Sequence, residues 1–588
     1  MAAHNQSRNA TNTVRESKFA FTAALILTLS SIAPAQSFRF AVWGDSQFQH
    51  PERFEEIVRE TAALDPDFAL HVGDMIHGYT YTPDVARREW ARFKRQIAPL
   101  GAPFYPTPGN HDVTVAEMEA PYAEAWGEDK FGYAFAHKNA YVIVLDSYLD
   151  QAYDTLLPKE LARLEAELER GKAYDHIFIT THSPLWLRSE YDWQGHFREL
   201  FADYPVSAVF AGHWHIYDHR KIDGVHYFCL NSSGNTAYDA HLGGRSRHWL
   251  LANVGGEEAS YAVFADGTIY PPDAVPPDEY KRAGGYWNPD GAIVVEPTDG
   301  RIDTTALARI TNRAPEARTF SLRWVASDER WRIDRPWLDF DLAAESDTTV
   351  AFRIEGPGEP LARVEYPYLR VAAPYVNSAG AETLAEWRYE LFSPPVARAE
   401  RVAEPPAIDG ELSEPTWDEP SADEFVVDFK NAPASEPTEI FFRYDDETLY
   451  VGARMAEPNP DGLAAGAYGD IPLVFGDDDV EIFLDADLDR KTFFRLMVNP
   501  KGTTLSSGPD GLFSFDFAVA TAIGEDYWSA EFAIPFAELG RDVPANGERW
   551  GVNMRRHRTQ ADPPQSDWSK MRTHPPYELA RFGRLVFD

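Results

Sequence analysis

Between Ser37 and Tyr270 short apolar runs alternate with amphipathic stretches, and this alternation restricts the fold more than anything else in the chain. "FRFAVW" precedes "PERFEEIVRETAAL", and "FALHV" precedes "DVARREWARFKRQIAPL". Later "AYVIVLD" is followed by "PKELARLEAELERGK", then by the runs "HIFITTH" and "VSAVFAG". Runs of four to six apolar residues without a polar alternate belong to strands covered on both faces, and helices at the intervening positions supply the cover. The pattern predicts an α/β domain with buried sheets over residues 37–270.

What stands at the ends of those runs is chemically unusual. "FAVWGDSQ" puts Asp45 and Gln47 just past the first strand, and "FALHVGDMIHG" puts Asp74 past the second. "FYPTPGNHDV" places Asn110, His111 and Asp112 after a short strand. "IFITTHSPLW" gives His182, and "VFAGHWHIYDH" gives His213 and His215, two apart at the end of an extended segment and so directed the same way. In open α/β sheets the carboxyl ends of the strands form the ligand-binding rim. A lone histidine or Gly-Asp at a strand end is ordinarily a turn residue. Five such ends in one domain, all bearing oxygen or imidazole donors, predict a metal site. Nearby, His71 reads as strand packing, His77 and His50 as loop residues close to substrate or solvent, and Trp186, Tyr217 and Asp192 as parts of loops walling the cleft.

The blocks GDSQ, GDM, GNHD, THSP and GHWH, in that order over roughly residues 38–265, resemble the calcineurin-like metallophosphoesterase superfamily. The resemblance implies a two-sheet αββα sandwich with two divalent ions. Carried over, one ion would take Asp45, Gln47, Asp74 and His215, and the other Asp74, Asn110, His182 and His213, with Asp74 bridging. Asn110 and His111 would meet substrate, His111 as the proton donor to the leaving oxygen, and Asp112 would support His111. One departure stands out: the first block of the family is usually Asp-x-His, and here it is Asp-x-Gln. An amide oxygen is a harder, weaker ligand than imidazole, which tilts that position toward Mn or Fe over Zn and leaves metal identity open.

The chain of 588 residues has a formal net charge of −38. Residues 1–35 carry Arg8, Arg15 and Lys18 against Glu16, so without them the charge would be −40. Such a surface argues against nucleic acid as a partner. Arg15 and Lys18 precede "FAFTAALILTLSSIA" and the small-residue site "APA" ending at Ala35, the pattern of an export signal. Secretion or delivery to a periplasm is the expectation, with no membrane span left after removal of that segment. Cys229 is the only cysteine, which excludes an intrachain disulfide and a thiolate cluster and suits a buried strand residue.

Past the proline-rich "YPPDAVPPDEY" helical periodicity fades. Residues 271–287 read as a linker. Residues 288–396 alternate in twos, as in "TTVAFRIEG" with Val350, Phe352 and Ile354 on one face, and predict an immunoglobulin-like β-sandwich. A second proline-rich break precedes another all-β stretch over 403–588. There "PAIDGELSEPTWDE", "TEIFFRYDDETLYVGARM" and "DDDVEIFLDADLDRKTFFRLMVNPKGT" resemble carbohydrate-binding module family 9 and its DOMON-like relatives. That resemblance implies a polysaccharide as partner, for which Trp528, Trp550 and Trp568 are the available aromatic faces. Trp528 and Trp550 fall in alternating patterns that favour core positions. The acidic runs "GDDD" and "DADLD" read as solvated loops rather than Ca²⁺ sites.

The expected fold class is therefore α/β followed by all-β. The expected function is an exported phosphoesterase, a hydrolase using two divalent ions (Mn, Fe or Zn) to cleave a phosphate mono- or diester. The alternative is a surface- or carbohydrate-binding protein that keeps the metal scaffold without activity, and a third reading is a metal hydrolase of another bond. Oligomeric state stays open.

Overall fold

The computed structural model describes residues 37–588, apart from 47–50, 79–81, 114, 149–154, 189–191, 235–240, 266, 285–291, 299, 359–364, 428–431, 466–476, 510, 513–514, 562–563 and 572–577. The export signal expected over 1–35, and Gln47 and His50, lie outside the described residues. Among the described residues no helix is long and apolar enough to cross a membrane.

Two six-stranded sheets face one another in the first region. The strands are β1 (Phe38–Trp43), β2 (Phe68–His71), β3 (Phe104–Pro106), β4 (Tyr133–His137), β5 (Ala140–Val144) and β6 (His176–Thr180). They continue with β7 (Val206–Ala211), β8 (Asp218–Ile222), β9 (Val225–Cys229), β10 (Trp249–Gly255), β11 (Glu258–Ala265) and β12 (Thr268–Tyr270). One sheet has the order β12-β11-β10-β1-β2-β3, the other β4-β5-β6-β7-β9-β8. β1, β2 and β3 run parallel to one another, as do β5, β6, β7 and β9. Phe40, Phe68, Phe178, Phe210 and Phe228 fill the space between the sheets. Phe40 and Phe68 stack at 4.9 Å, and Phe178 meets Phe40 edge-on at 4.9 Å. Each such ring contributes about 1.5–3 kcal/mol by leaving water.

Helices cover the outer faces. In Pro51–Ala63 the residues Phe54, Ile57 and Val58, at the i, i+3, i+4 spacing of one helical face, pack on the first sheet with Trp90 and Phe93 from Pro83–Ile97. Leu164 and Leu168 from Pro158–Gly171, and Phe197 and Phe201 from Trp193–Phe201, cover the second sheet. The result is the expected αββα layering, and it puts the carboxyl ends of β1, β2, β3, β6 and β7 on one rim.

Residues 271–287, expected to be a bare linker, contain the short helix Glu279–Gly284. Glu279 is buried and accepts from the Ser378 backbone N–H at 3.0 Å, while Arg282 donates to the Val376 carbonyl at 2.7 Å. The following β-sandwich pairs Arg301–Asn312 with Ser346–Pro357 in antiparallel register. Val350, Phe352 and Ile354 do point together into its core, opposite Phe320, Leu322, Leu369 and Val371.

The last region is built on one extensively connected β-sheet around a core that includes Trp528, Trp550 and Trp568. Trp568 is 6% exposed, so none of the three presents an open face to a sugar. The acidic runs are also placed differently from expectation. Asp477, Asp478, Asp479 and Asp485 are buried, and only Asp487 and Asp489 are exposed. The turn after the strand Arg549–His557 offsets part of this burial: Asp478 accepts from the Thr559 backbone N–H at 3.0 Å and hydroxyl at 2.8 Å.

Candidate metal centre

Asp45 follows β1, Asp74 follows β2, Asn110 and His111 open a short helix after β3, His182 follows β6, and His213 and His215 follow β7. Three of these residues have left-handed backbone: Asp74 (φ 56°), His213 (φ 68°) and His215 (φ 50°). That region is costly for a residue with a Cβ, and it recurs where a loop must turn a side chain back into a site. Gly73, at φ 106°, precedes Asp74 because a Cβ there would lie 2.4 Å from the His182 ring nitrogen Nδ1.

The side chains converge in two adjoining groups. In the first, ligand atoms of Asp74, His182 and His213 all lie within 4.8 Å of one another. His182 Nε2 is 3.2 Å from Asp74 Oδ2 and 3.0 Å from Asn110 Oδ1. In the second, His215 Nε2 is 2.8 Å from Asp45 Oδ2, and the His213 backbone N–H donates to the same carboxylate. Every expected ligand among the described residues is thus brought to one rim, and His213 and His215 face different groups.

Supporting contacts hold these side chains from behind. His182 Nδ1 donates to the Val72 carbonyl at 2.7 Å, which fixes the ring so that Nε2 faces Asp74 and Asn110. The Asp45 backbone carbonyl accepts from Ser232 Oγ at 2.9 Å and from the Ser233 backbone N–H at 2.7 Å. His111 Nδ1 lies 2.5 Å from the His77 carbonyl, its backbone N–H donates to Asp74 Oδ1 at 2.9 Å, and its Nε2 stands 3.9 Å from Asp74 Oδ2.

Asp112 contacts backbone, not the His111 ring. Its Oδ2 accepts the backbone N–H groups of Asp74 (2.9 Å) and Gly109 (3.0 Å), and its Oδ1 those of Met75 (3.0 Å) and Ile76 (3.4 Å). It ties together the two loops that carry Asp74 and His111, while the His77 carbonyl holds the His111 ring. Of the residues expected to wall the cleft, Trp186 and Tyr217 are buried in cores and Asp192 caps the helix Trp193–Phe201, accepting from the Gly195 N–H at 3.0 Å. His71 is buried, as expected of strand packing, with its Nε2 2.9 Å from Ser46 Oγ. Cys229 is buried at the end of β9.

Tyr148 was not anticipated. Its hydroxyl lies 3.4 Å from both ring nitrogens of His213, and its ring is 5.4 Å from that of His182. It stands four residues past β5, in "VLDSY", a strand end on the same rim, which is the signal that could have found it.

The electrostatics suit cations. Burial opposes ionisation of Asp45 and Asp74, yet His215 beside the first and His182 and His111 beside the second hold both carboxyls below their usual range. Burial would likewise lower His182, but the Asp74 carboxylate raises it to about 10, and Asp45 raises His215. Protons occupy the positions where positive charge is favoured, and divalent ions binding there would displace them. Two carboxylates, an amide oxygen and three imidazoles are donors that Mn, Fe and Zn all accept. The residues fit the group.

A layered α/β sandwich with a cluster of oxygen and imidazole donors on its rim is an arrangement able to hold divalent ions. Residues 38–217 match the family model of the calcineurin-like phosphoesterases, so the resemblance carried by the five sequence blocks holds for this segment. A purple acid phosphatase of Glycine max is 27% identical over 233 residues, covering 34% of this chain and 49% of that protein. A phosphoenolpyruvate phosphatase of Allium cepa is 24% identical, covering 34% of this chain and 46% of that protein. The chain spans about half the length of these curated relatives. Among solved structures, a dimetal phosphatase from Danio rerio aligns over 39% of this chain and 95% of its own at 12% identity and TM-score 0.30. A family 9 carbohydrate-binding module from Caldicellulosiruptor kristjanssonii aligns over 33% of this chain and 93% of its own at 19% identity and TM-score 0.26.

Proposed function

We propose that the protein is a binuclear metal-dependent phosphoesterase that hydrolyses a phosphate mono- or diester. The observation that carries this reading is the convergence of Asp74, Asn110, His182 and His213 beside the Asp45–His215 pair, with His111 at their edge. Asp45, Asp74, Asn110, His182, His213 and His215 would hold the ions, and Gln47 is proposed with them from its block. When bound, such a pair supplies Lewis acidity to phosphoryl oxygens and lowers the pKa of the attacking water. The chain's own residues do the rest. Asn110 orients the ester beside Asp74. The His77 carbonyl keeps the Nδ1 proton of His111 engaged, so Nε2 is the atom that delivers a proton to the departing oxygen.

Export follows from residues 15–35, and polysaccharide binding is proposed for 403–588 on the order of its sequence blocks, through groups other than the three buried tryptophans. Elemental analysis followed by a panel of mono- and diesters tests the reading. Two equivalents of metal and metal-dependent turnover are expected; a metal-loaded protein that cleaves no ester would refute it. Within that panel, His111→Ala should retain its metal and slow alkyl phosphates by roughly 10²–10⁴ while sparing p-nitrophenyl phosphate, whose leaving group needs no proton. Equal losses on both would remove the acid role.

A further inference from the structure

The C-terminal region touches the candidate site at one corner. The strands Asp479–Asp485 and Arg549–His557 pair antiparallel with Asp479 opposite His557, which brings residue 477 beside the end of the second strand. There the Asp477 carbonyl accepts from His557 Nδ1, and Asp477 Oδ2 accepts from Asn499 at 3.1 Å. Asp477 Oδ1 accepts from the Thr82 hydroxyl of the first region at 3.3 Å, across 395 residues of chain. The His557 ring lies 6.4 Å from that of His77, and His77 in turn lies 6.1 Å from the His111 ring.

His77 is the residue whose carbonyl holds His111 Nδ1. The next residue, Gly78, has φ 60° and presses so closely on His111 that a Cβ there would sit 1.5 Å from the His111 carbonyl oxygen. The His77–Gly78 stretch that seats His111 is therefore backed by His557, and Thr82, four residues past Gly78 in sequence, bonds Asp477 of the same corner. The corner behind it is firm. Asp477 and His557 are both buried, and Arg555, two residues before His557, is paired with Asp567 at 3.1 and 3.0 Å, both side chains buried. The C-terminal region is itself anchored to the β-sandwich by Arg581 donating to Glu390 at 2.7 Å and by Arg549 donating to Glu296 at 2.8 Å.

We propose that the C-terminal β region is a working part of the phosphoesterase site, with His557 as a positioning residue that acts through His77 on the imidazole of His111. The inference rests on the phosphoesterase reading for its kinetic consequence and on contacts alone for its structural one. It makes the C-terminal region more than a tethered binding module.

The test uses the full-length chain carrying His557→Ala, with Thr82→Val as the second variant and Thr82→Ser as its conservative control. kcat and KM are measured for an alkyl phosphate and for p-nitrophenyl phosphate, with metal content alongside, in wild-type and His111→Ala backgrounds. The expected result is a loss of about tenfold in kcat for the alkyl ester, a part of the roughly 10²–10⁴ a general acid supplies. Metal content and p-nitrophenyl turnover should be unchanged, the loss should vanish in the His111→Ala background, and Thr82→Ser should restore what Thr82→Val removes. Equal losses on both esters, no loss, or a full loss persisting without His111 would overturn the proposal. Should His557→Ala fail to fold, Thr82→Val carries the same comparison. Should the wild-type protein cleave no ester, the functional reading falls, and the ¹⁵N shift of His111 Nδ1 decides the structural claim: a shift in His557→Ala supports it and an unchanged resonance refutes it.

Discussion

Asp112→Asn separates two forces that act on one buried side chain with opposite signs. Burial, and then the neighbouring Asp74 carboxylate, push Asp112 well above the usual carboxylate range, so removing its charge alone would relieve the site. Against this, its two oxygens accept four backbone N–H groups, from Asp74, Gly109, Met75 and Ile76. Asparagine keeps one oxygen. The better pair, Asp74 and Gly109 at 2.9 and 3.0 Å, will claim it, leaving Met75 at 3.0 Å and the longer contact to Ile76 facing an NH₂ group. A buried N–H without a partner costs about 1–3 kcal/mol, so one full and one marginal loss amount to about 2–4 kcal/mol. Ions at Asp74 would neutralise the repulsion, and the hydrogen-bond count then decides the outcome in metal-loaded protein. Amide hydrogen exchange reads this locally, which suits a chain of several cores better than a global melt. At 1.4 kcal/mol per decade, the Met75 amide should exchange about thirty- to seven-hundredfold faster in the variant. A Met75 amide as protected as in wild type, or more so, would mean that charge relief outweighs the lost acceptor and would refute the assignment of Asp112 as the tie between the loops.

Asp74→Asn should lower metal content and turnover together, because Asp74 faces His182, His213 and His111 at once; a variant with two metals and near-normal turnover would disprove the shared-ligand role. Tyr148→Phe should weaken binding of one ion by about tenfold in a titration of metal-stripped protein, the scale for losing a group that orients a ligand, with identical isotherms excluding it as a tether for His213. Glu89, which accepts from the Gly78 N–H at 2.9 Å, is raised by burial from 4.5 to about 7. A carboxyl whose folded pKa lies above its unfolded value contributes stability that is complete below about 4.5 and lost as pH rises through about 7. Glu89→Gln should therefore melt progressively higher than wild type across that window in calorimetry, and parallel melting profiles would count against it.

The candidate ligands were legible because each sits within a few residues of an apolar strand, so a local pattern reports a local placement and the sheet does the assembling. Tyr148 was equally local, and reading "AYVIVLD" two residues further would have included it. Other features depend on distances in sequence that no short motif encodes. Trp186 reads as a cleft residue because it lies in the loop after His182, but its ring packs on that of Tyr227 at 5.3 Å, 41 residues further on. "GDDD" looked solvated because four polar residues in a row ordinarily are; here Asn499, Thr559 and Thr82 pair with Asp477 and Asp478 and make burial affordable.

Asp112 supports the loop that carries His111 through backbone contacts and not through the imidazole. In sequence it adjoins His111, and adjacency suggests a shared task. On the first turn of a short helix, however, consecutive side chains diverge, so His111 and Asp112 cannot both face the ester. Asp112 turns inward to the backbone of the neighbouring loop, and the hold on His111 passes to the carbonyl of His77, 34 residues earlier, whose ring lies 6.4 Å from that of His557 near the far end of the chain. On the proposed reading the ions would define where phosphate sits, and the segment carrying His77 would set the direction from which the leaving oxygen receives its proton. If so, chains sharing the five blocks but lacking a docked C-terminal region must seat the same histidine by other contacts, and their preference among leaving groups should differ even where their metal ligands do not.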